Sequence, residues 1–246
     1  MKAMMSRPKG DAADLPSHCA GLPRTGPPAI ETVHPRWDDF CVVAATGPSL
    51  TEEVADACRG YPVLAVKDAA RLRMPWAEVM YCCDTWWWER FDGLRSFAGE
   101  RWSSHEKRAN EKLEIAAKYG VRLVRGSYGT SFSTDPALIH YGSNSGYQAV
   151  NLAIHLLRGP RKRIALVGFD MRTCERRHFF GPHKDRHNGV KYERFIPSFE
   201  QAAKGLPREI EIINCTPGSA MGPQIVPHMP LADVLAGEKS GCEDRH

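Results

Sequence analysis

Short apolar runs alternate with helical patterns along most of the chain, and this alternation limits the fold more than any other feature of the sequence. The apolar runs predict strands at residues 40–45, 63–66, 79–83, 121–124, 163–167 and 210–214. Helical periodicity predicts helices at residues 50–59, 106–119, 145–157 and 191–204, with a short one at 231–235. Apolar strands separated by helices are typical of a parallel sheet covered on both sides. We therefore predict an α/β, Rossmann-like fold with a mostly parallel central sheet and helices on both faces.

The length and composition indicate one folded domain with irregular ends. A chain of 246 residues with 42% hydrophobic and 25% charged residues can bury one full core. Residues 1–36 are rich in proline and lack an apolar period, so we expect a flexible arm there. A single domain is expected at 37–236 and a flexible tail at 237–246. The absence of a signal-peptide pattern and of a bilayer-length apolar run favours a cytoplasmic protein.

Cysteine spacing and charge narrow the class of ligand. The eight cysteines form no CxxC pair and several lie in predicted strands, which is typical of small buried groups in a reducing compartment. The net charge of +4 is concentrated in residues 158–163 and 172–194. These segments suit an anionic ligand such as a nucleotide, and nucleic acid is a second candidate. A solvated basic turn explains 158–163 equally well.

The first candidate site is the turn ATGPSL that follows the first predicted strand. Gly47 permits a sharp turn, Pro48 fixes the next φ, and Ser49 can cap the following helix. Free N–H groups at such a helix start favour a phosphate. A plain strand-to-helix turn accounts for the same residues, so the motif alone leaves both interpretations open.

A second turn into a helix occurs in YGSNSGYQAVNLAIHLL. Ser143 or Asn144 can cap this helix, Gly146 allows close approach, and the apolar stripe beyond them belongs to the core. With Ser145, these polar groups exceed what one cap requires. They can bind a ligand or serve capping alone.

The segment RIALVGFDM predicts a buried central strand that ends near Asp170, followed by a loop with His178, His183 and His187. A carboxylate beyond the carboxyl end of a parallel strand commonly contacts ribose, metal or substrate, although it can also hold a neighbouring loop. The histidines could bind a metal near Asp170, or one could act as a general base. The spacing is not that of a helical zinc motif, so we favour the general base and predict no metal site.

Polar and aromatic residues also follow two other predicted strands. Asp84 comes after the third strand and precedes Trp86, Trp87 and Trp88, of which at least one is expected to face a cleft and stack on a base or sugar. The alternative is a helix packed on the sheet. Lys67, at the end of the second strand, can reach the same cleft.

These motifs, in this order, resemble the bacterial sialyltransferases that build lipo-oligosaccharide. They are also similar to the Rossmann-like proteins typified by archaeal 6-hydroxymethylpterin diphosphokinases, and to uncharacterised phage and bacterial relatives. GPSL, SGYQAVNLAIHL, RIALVGFDM and the histidine loop carry the resemblance, which covers about residues 39–235. It implies a Rossmann-like transferase that binds a nucleotide or nucleotide-sugar.

In those sialyltransferases the two turns contact the donor and a histidine of the late loop is the base. The resemblance therefore implies His183 as the base, with His178 as the second candidate or as a contact of the donor phosphate. The donor positions that it implies are Gly47, Pro48, Ser49, Asn144, Ser145 and Gly146. Thr46 and Lys67 stand where the relatives carry asparagine, which leaves open an activated sugar other than sialic acid. Lys67 adds a positive charge suited to a diphosphate.

Three functions follow as hypotheses. The first is a glycosyltransferase with a nucleotide-sugar donor, a histidine base, a hydroxyl-bearing acceptor and no obligatory metal. The second is a diphosphotransferase that uses ATP and Mg²⁺, with Asp84 or Asp170 holding the metal and Lys67 touching phosphate. The third is a non-catalytic nucleotide-binding protein. A hydroxymethylated DNA base of a phage is one acceptor that the basic loops would suit, and the oligomeric state stays open.

Overall fold

The computed structural model describes residues 29–106, 110–142, 144–172, 178–181 and 192–243. These residues form one sheet whose strand pairs are all parallel. The strands are β1 (Ile30–Glu31), β2 (Phe40–Ala44), β3 (Val63–Val66), β4 (Val79–Tyr81), β5 (Glu100–His105), β6 (Arg122–Ser127), β7 (Leu138–His140), β8 (Lys162–Val167) and β9 (Ile210–Asn214). The predicted α/β, Rossmann-like fold is confirmed.

Helices cover both faces of the sheet. They are α1 (Glu52–Ala57), α2 (Asp68–Leu72), α3 (Thr85–Arg90), α4 (Asn110–Tyr119), α5 (Ser145–Leu156), α6 (Tyr192–Lys204) and α7 (Leu231–Glu243). Side chains of α5 and α6 join the core on one face, and those of α1, α2, α3, α4 and α7 join the core on the other. None of the helices in the described ranges has the length and apolar character needed to cross a bilayer.

The strand order fixes where the sheet can bind a ligand. The order is β1-β6-β5-β4-β3-β2-β8-β9, and β7 also pairs with β6. From β2 the chain builds outward through β3, β4, β5 and β6, and it then returns to the other side of β2 with β8. The order therefore reverses between β2 and β8. In open α/β sheets this switch point, at the carboxyl ends of the strands, is where ligands bind.

The folded part is longer at both ends than the sequence predicted. Residues 29–36 were assigned to the flexible arm, but β1 pairs with β6, and the buried Val33 donates its N–H to the carbonyl of Pro136 at 2.8 Å. The assignment was wrong there because a two-residue edge strand has no periodicity. At the other end, α7 continues to Glu243, beyond the predicted end at residue 235. Its last turns are polar and carry no apolar stripe.

A buried amide holds α5 against the segment that leads into β7. The Asn151 side chain accepts hydrogen bonds from the backbone N–H groups of Ser133 and His140, both at 2.9 Å, and donates to the carbonyl of Ser133. One turn later, His155 Nε2 bonds the carbonyl of Leu138 at 2.9 Å. Asn151 is fully buried and His155 is 3% exposed. Part of the segment between β6 and α5 is therefore fixed to the helix.

Buried His155 predicts that the protein loses stability in mild acid. Burial lowers the pKa of His155 from 6.5 to about 4, against a smaller opposite effect of its bond to Leu138. The unfolded chain therefore binds the proton first, and the free energy of unfolding falls as pH drops below about 6.5. From pH 6.5 to 5 this group should cost on the order of 2 kcal/mol. Urea titrations across this pH range should show the loss of unfolding free energy, and the loss should be smaller in His155→Gln. An equal loss in the natural protein and in His155→Gln would show that His155 is not its cause.

Candidate functional site

The turn after β2 is closed by Asp170, which lies beyond the end of β8. The Asp170 carboxylate accepts hydrogen bonds from Ser49 Oγ at 2.7 Å and from the Ser49 N–H at 3.3 Å. The N–H of Gly47 donates to the carbonyl of Gly168 at 2.9 Å. The N–H groups of Leu50 and Thr51 donate to carbonyls within the turn. The backbone donors from Gly47 to Thr51 are thus engaged within the protein, and a carboxylate occupies the place of an anion at the helix start.

The need for glycine at position 47 has a local cause. A Cβ atom there would lie 1.9 Å from Asp170 Oδ2 and 2.5 Å from the carbonyl oxygen of Gly168. Of the two interpretations of ATGPSL, the plain turn therefore explains Gly47, Pro48 and Ser49 without a ligand. Asp170 is 2% exposed and serves as the partner of this turn in the structure. Its predicted catalytic role and the donor contacts of residues 47–49 stay predictions.

The described part of the histidine loop lies on the same turn. Thr46 Oγ1 and His178 Nδ1 are hydrogen-bonded at 3.0 Å, and the Phe179 N–H donates to the carbonyl of Thr46 at 3.2 Å. The His178 ring stacks on Phe180 with 5.0 Å between centroids and 2° between planes. The Arg73 guanidinium lies over the Phe179 ring at 4.9 Å. His183 and His187 lie outside the described residues.

Lys67 and Asp84 form an ion pair at the neighbouring ends of β3 and β4. The two side chains are 23% and 32% exposed, so both reach the surface at this edge of the sheet. Burial alone would lower the pKa of Lys67, but the adjacent Cys82 and Asp84 outweigh it and raise the pKa. Lys67 also has φ of 50° and ψ of −117°, a conformation that costs a residue with a side chain of the order of 1–3 kcal/mol. Such strain is characteristic of functional sites.

The N-terminus of α5 lies at the same edge of the sheet. Asn144 Oδ1, one of the two predicted candidates, caps the helix by accepting from the Tyr147 N–H at 2.9 Å. Ser145 Oγ accepts from the Cys83 N–H at 3.2 Å and lies 2.9 Å from Cys83 Sγ. A Cβ at Gly146 would lie 3.1 Å from the Phe169 ring. Because α5 begins at this edge, the positive end of its dipole lies there too.

The three consecutive tryptophans are mostly a packing element. Trp87 and Trp88 are completely buried; Trp87 Nε1 donates to Asp68 and Trp88 Nε1 to the carbonyl of Cys82, both at 3.1 Å. The helix packed on the sheet is thus the correct interpretation for these two. Trp86 is partly buried and is the one that still has surface for a ligand.

The structure brings the separately predicted motifs together at one edge. Thr46 follows β2, Lys67 follows β3 and Asp84 follows β4. His178 contacts Thr46. Sequence reasoning missed two contact residues, Cys83 and Phe169, which join α5 to β4 and β8. Cys83 is the last residue of one predicted strand and Phe169 lies two residues after another, and these positions at strand ends were the available signal.

No group of three or more His, Cys, Asp or Glu side chains in the described ranges is arranged to hold a metal ion. Comparison of the chain with protein-family models, with curated proteins and with solved structures gave no match. The functional assignment therefore depends on this geometry and on the motif resemblance.

The strain at Lys67 gives a test that separates its backbone from its charge. Lys67→Gly should be more stable than Lys67→Ala by about 1 kcal/mol, because glycine adopts the positive φ at little cost. Both variants lose the ion pair with Asp84, so the difference between them reports the backbone alone. Chemical denaturation of the two variants measures it, and equal stabilities would show that Lys67 is unstrained.

Proposed function

We propose that the chain is a glycosyltransferase that binds a nucleotide-sugar at the switch point and transfers the sugar to an acceptor hydroxyl. The observation that carries the proposal is the hydrogen bond between Thr46 and His178 at 3.0 Å. It joins the turn after β2 to the histidine loop, at the place where open α/β sheets bind ligands. The bond also engages one ring nitrogen of His178. In general-base catalysis a second group that bonds one ring nitrogen in this way orients the imidazole.

The donor phosphate is proposed to lie between Lys67 and the start of α5. The ammonium group of Lys67 and the helix dipole are the positive charges that support this position. The N–H groups of residues 47–51 are engaged elsewhere, which argues against the turn as the main phosphate contact. Thr46 replaces the asparagine of the sialyltransferases, and the proposal therefore leaves the sugar unspecified.

In the proposed reaction the acceptor oxygen attacks the anomeric carbon as the bond to the nucleotide phosphate breaks. A histidine of the loop, His183 or His178, takes the proton of the acceptor hydroxyl. Lys67 and the N-terminus of α5 stabilise the charge that develops on the departing phosphate. These steps need no metal ion.

A diphosphotransferase is the second candidate, and the Lys67–Asp84 pair favours it. A cation and a carboxylate at adjacent strand ends are the groups that hold phosphate and Mg²⁺ in phosphoryl transfer. Asp84 is better suited than Asp170 to hold the metal, because its side chain is 32% exposed, whereas Asp170 is 2% exposed and holds the turn through Ser49. This candidate requires ATP and Mg²⁺ and releases AMP.

Nucleic acid is proposed only as an acceptor, on the basis of charge. The basic segment 172–194 lies largely outside the described residues, and Arg158 is one basic side chain that is exposed. If a modified duplex is the acceptor, its binding should weaken steeply with salt. Binding that is absent or insensitive to salt would remove this acceptor.

A thermal-shift screen tests the proposed function. Nucleoside diphosphate sugars and nucleoside monophosphate sugars are compared with the matching free nucleosides and with ATP, each with and without Mg²⁺. We expect one nucleotide-sugar to stabilise the protein without Mg²⁺, by about 2.7 kcal/mol at a hundredfold excess over its dissociation constant. Release of the nucleotide, followed by mass spectrometry, then tests turnover.

The outcomes of the screen separate the three functions. Stabilisation by ATP only with Mg²⁺, with AMP as product, would support the diphosphotransferase. Stabilisation without turnover of any donor would support a non-catalytic nucleotide-binding protein. Either result would overturn the glycosyltransferase.

A further inference from the structure

The carboxylate of Asp84 lies on the ammonium group of Lys67, in the place that an anionic ligand would take. Lys67 follows β3 directly, and Asp84 is the third residue after β4, the neighbour of β3 in the sheet. The pairing of these two strands therefore brings the charges together. An ammonium group at the carboxyl ends of the strands attracts anions, and here the chain itself supplies one.

A second carboxylate covers the turn after β2, but it is fixed in place. Asp170 is 2% exposed and bonds both the hydroxyl and the N–H of Ser49. Asp84 is 32% exposed, and the Lys67 side chain that it contacts is 23% exposed. Ion pairs between side chains that reach solvent contribute little to stability, so breaking one costs little. Of these two carboxylates, Asp84 is therefore the one that can leave its partner.

The Asp84 carboxylate also has a second position within reach. Asp84 is the N-cap residue of α3, where an aspartate usually accepts hydrogen bonds from N–H groups of the first helical turn. Its extended backbone, with φ of −93° and ψ of 121°, is that of a capping residue, yet its side chain makes no capping bond. Rotation of the side chain away from Lys67 gives α3 the cap that it lacks in the structure.

The backbone of Lys67 is fixed independently of the ion pair. Its N–H donates to the carbonyl of Tyr81 at 3.1 Å, and its carbonyl accepts from the N–H of Arg71 at 3.2 Å. These bonds to β4 and α2 hold Lys67 at its positive φ of 50°. The ammonium group therefore stays at this edge of the sheet when Asp84 leaves it.

Competition with Asp84 selects a ligand by its charge. Because Asp84 belongs to the same chain, it competes at an effective concentration on the order of millimolar or above. A phosphodiester carries one negative charge, as the carboxylate does, and so has no electrostatic advantage over it. The diphosphate bridge of a nucleoside diphosphate sugar carries two charges. A diphosphate therefore displaces Asp84 more readily than a single phosphate does.

We propose that Asp84 is an exchangeable counter-ion: a diphosphate takes its place on Lys67, and the released carboxylate caps α3. This inference rests on the proposed function, in which a donor phosphate lies at Lys67. It narrows the donor to the nucleoside diphosphate sugars, and it makes Asp84 the residue that opposes singly charged phosphates.

Calorimetric titration of the full chain with symmetric dimethyl diphosphate, in EDTA, tests the exchange. Asp84→Asn removes the competing charge and keeps the shape of the side chain, so the diphosphate should bind roughly three- to tenfold more tightly than to the natural protein. Lys67→Gln should weaken binding by roughly tenfold or more. Asp92→Asn is the matched control, because it removes the same charge from the ion pair with Arg95 beyond the end of α3, and it should change nothing.

Several results of these titrations would overturn the exchange. They are no binding of the diphosphate to either the natural protein or Asp84→Asn, binding that Asp84→Asn leaves unchanged or weakens, and equal tightening by Asp92→Asn. Dimethyl phosphate, which carries one charge, should bind the natural protein more weakly than dimethyl diphosphate. Equal affinities for the two compounds would overturn the selection by charge.

Melting temperatures of the ligand-free variants test the second position of the carboxylate. Asparagine caps a helix about as well as aspartate, and alanine does not cap it. Asp84→Asn should therefore melt at a higher temperature than Asp84→Ala, although both variants lose the charge that pairs with Lys67. Equal melting temperatures would show that residue 84 does not cap α3 and would overturn that part of the exchange.

The same samples are titrated with the nucleotide-sugars of the thermal-shift screen. Tighter diphosphate binding in Asp84→Asn, with no nucleotide-sugar bound, overturns the proposed function and leaves the exchange standing. A nucleotide-sugar that is turned over, and that binds the natural protein and Asp84→Asn with the same affinity, overturns the exchange and leaves the proposed function standing.

Discussion

Gly47→Ala is expected to lower the free energy of unfolding by about 3 kcal/mol, because the added methyl group has no room between two parts of the chain. One of the two obstacles, the Asp170 carboxylate, is a side chain that can turn away. The other is the carbonyl of Gly168, which lies 2.5 Å from the new atom and belongs to the backbone after β8. The turn must therefore separate from β8 or distort.

Urea denaturation measures the loss, and two comparisons identify its cause. Gly237→Ala introduces the same methyl group into the exposed part of α7, where it would meet no described atom within 4 Å apart from its own helix backbone and chain neighbours, and should be neutral or slightly stabilising. In an Asp170→Ala background, Gly47→Ala should cost less, because only the carbonyl obstacle remains. A loss below about 1 kcal/mol in the natural background would contradict the close approach of the turn to β8.

Replacement of the histidine that we propose as the general base should reduce turnover by roughly a hundredfold or more while the donor still binds. His183→Ala and His178→Ala are compared with His187→Ala, a third histidine of the same loop, as the control. The resemblance favours His183, and the hydrogen bond to Thr46 favours His178. The variant with the large loss of turnover and unchanged thermal shift by the donor identifies the base.

Thr46→Val decides between the two histidines independently. It removes the hydroxyl that bonds His178 and keeps the shape of the side chain. If His178 is the base, turnover should fall by about tenfold, since the imidazole loses the group that orients it. If His183 is the base, Thr46→Val should change turnover little. Full activity in both His178→Ala and His183→Ala would remove the histidine mechanism.

The central strands were predictable because a strand that is buried on both faces consists of a continuous run of apolar residues. This holds for β2, β3 and β8, whose positions agree with the predictions to within a residue. It fails for β5, whose sequence ERWSSH is polar although its last four residues are buried. Ser104 donates a hydrogen bond to Gln148 and Ser103 accepts one from Lys112, so both buried serines are satisfied and the polar sequence hides a core strand. The strand β7 has three residues, too few for any period.

The candidate site was predictable residue by residue but not in its contacts. Gly47, Asn144 and Asp170 stand out because turns and strand ends have local signatures in the sequence. Two contacts depend on β8 lying beside β2. Asp170 binds Ser49, and Thr46 binds His178, which is 132 positions away along the chain. Strand order is a property of the whole chain, and no local pattern encodes it.

The position of β8 beside β2 also determines when the site can form during folding. Phe40 pairs with Arg163, and most of the chain, including β3 to β7 and α5, lies between them. On the ribosome, β2 emerges long before its partner, so one of its edges stays unpaired while these elements are made. Parallel pairs of such long sequence separation close slowly and expose aggregation-prone edges meanwhile. The candidate site at the switch point is thus among the last parts of the protein to be completed.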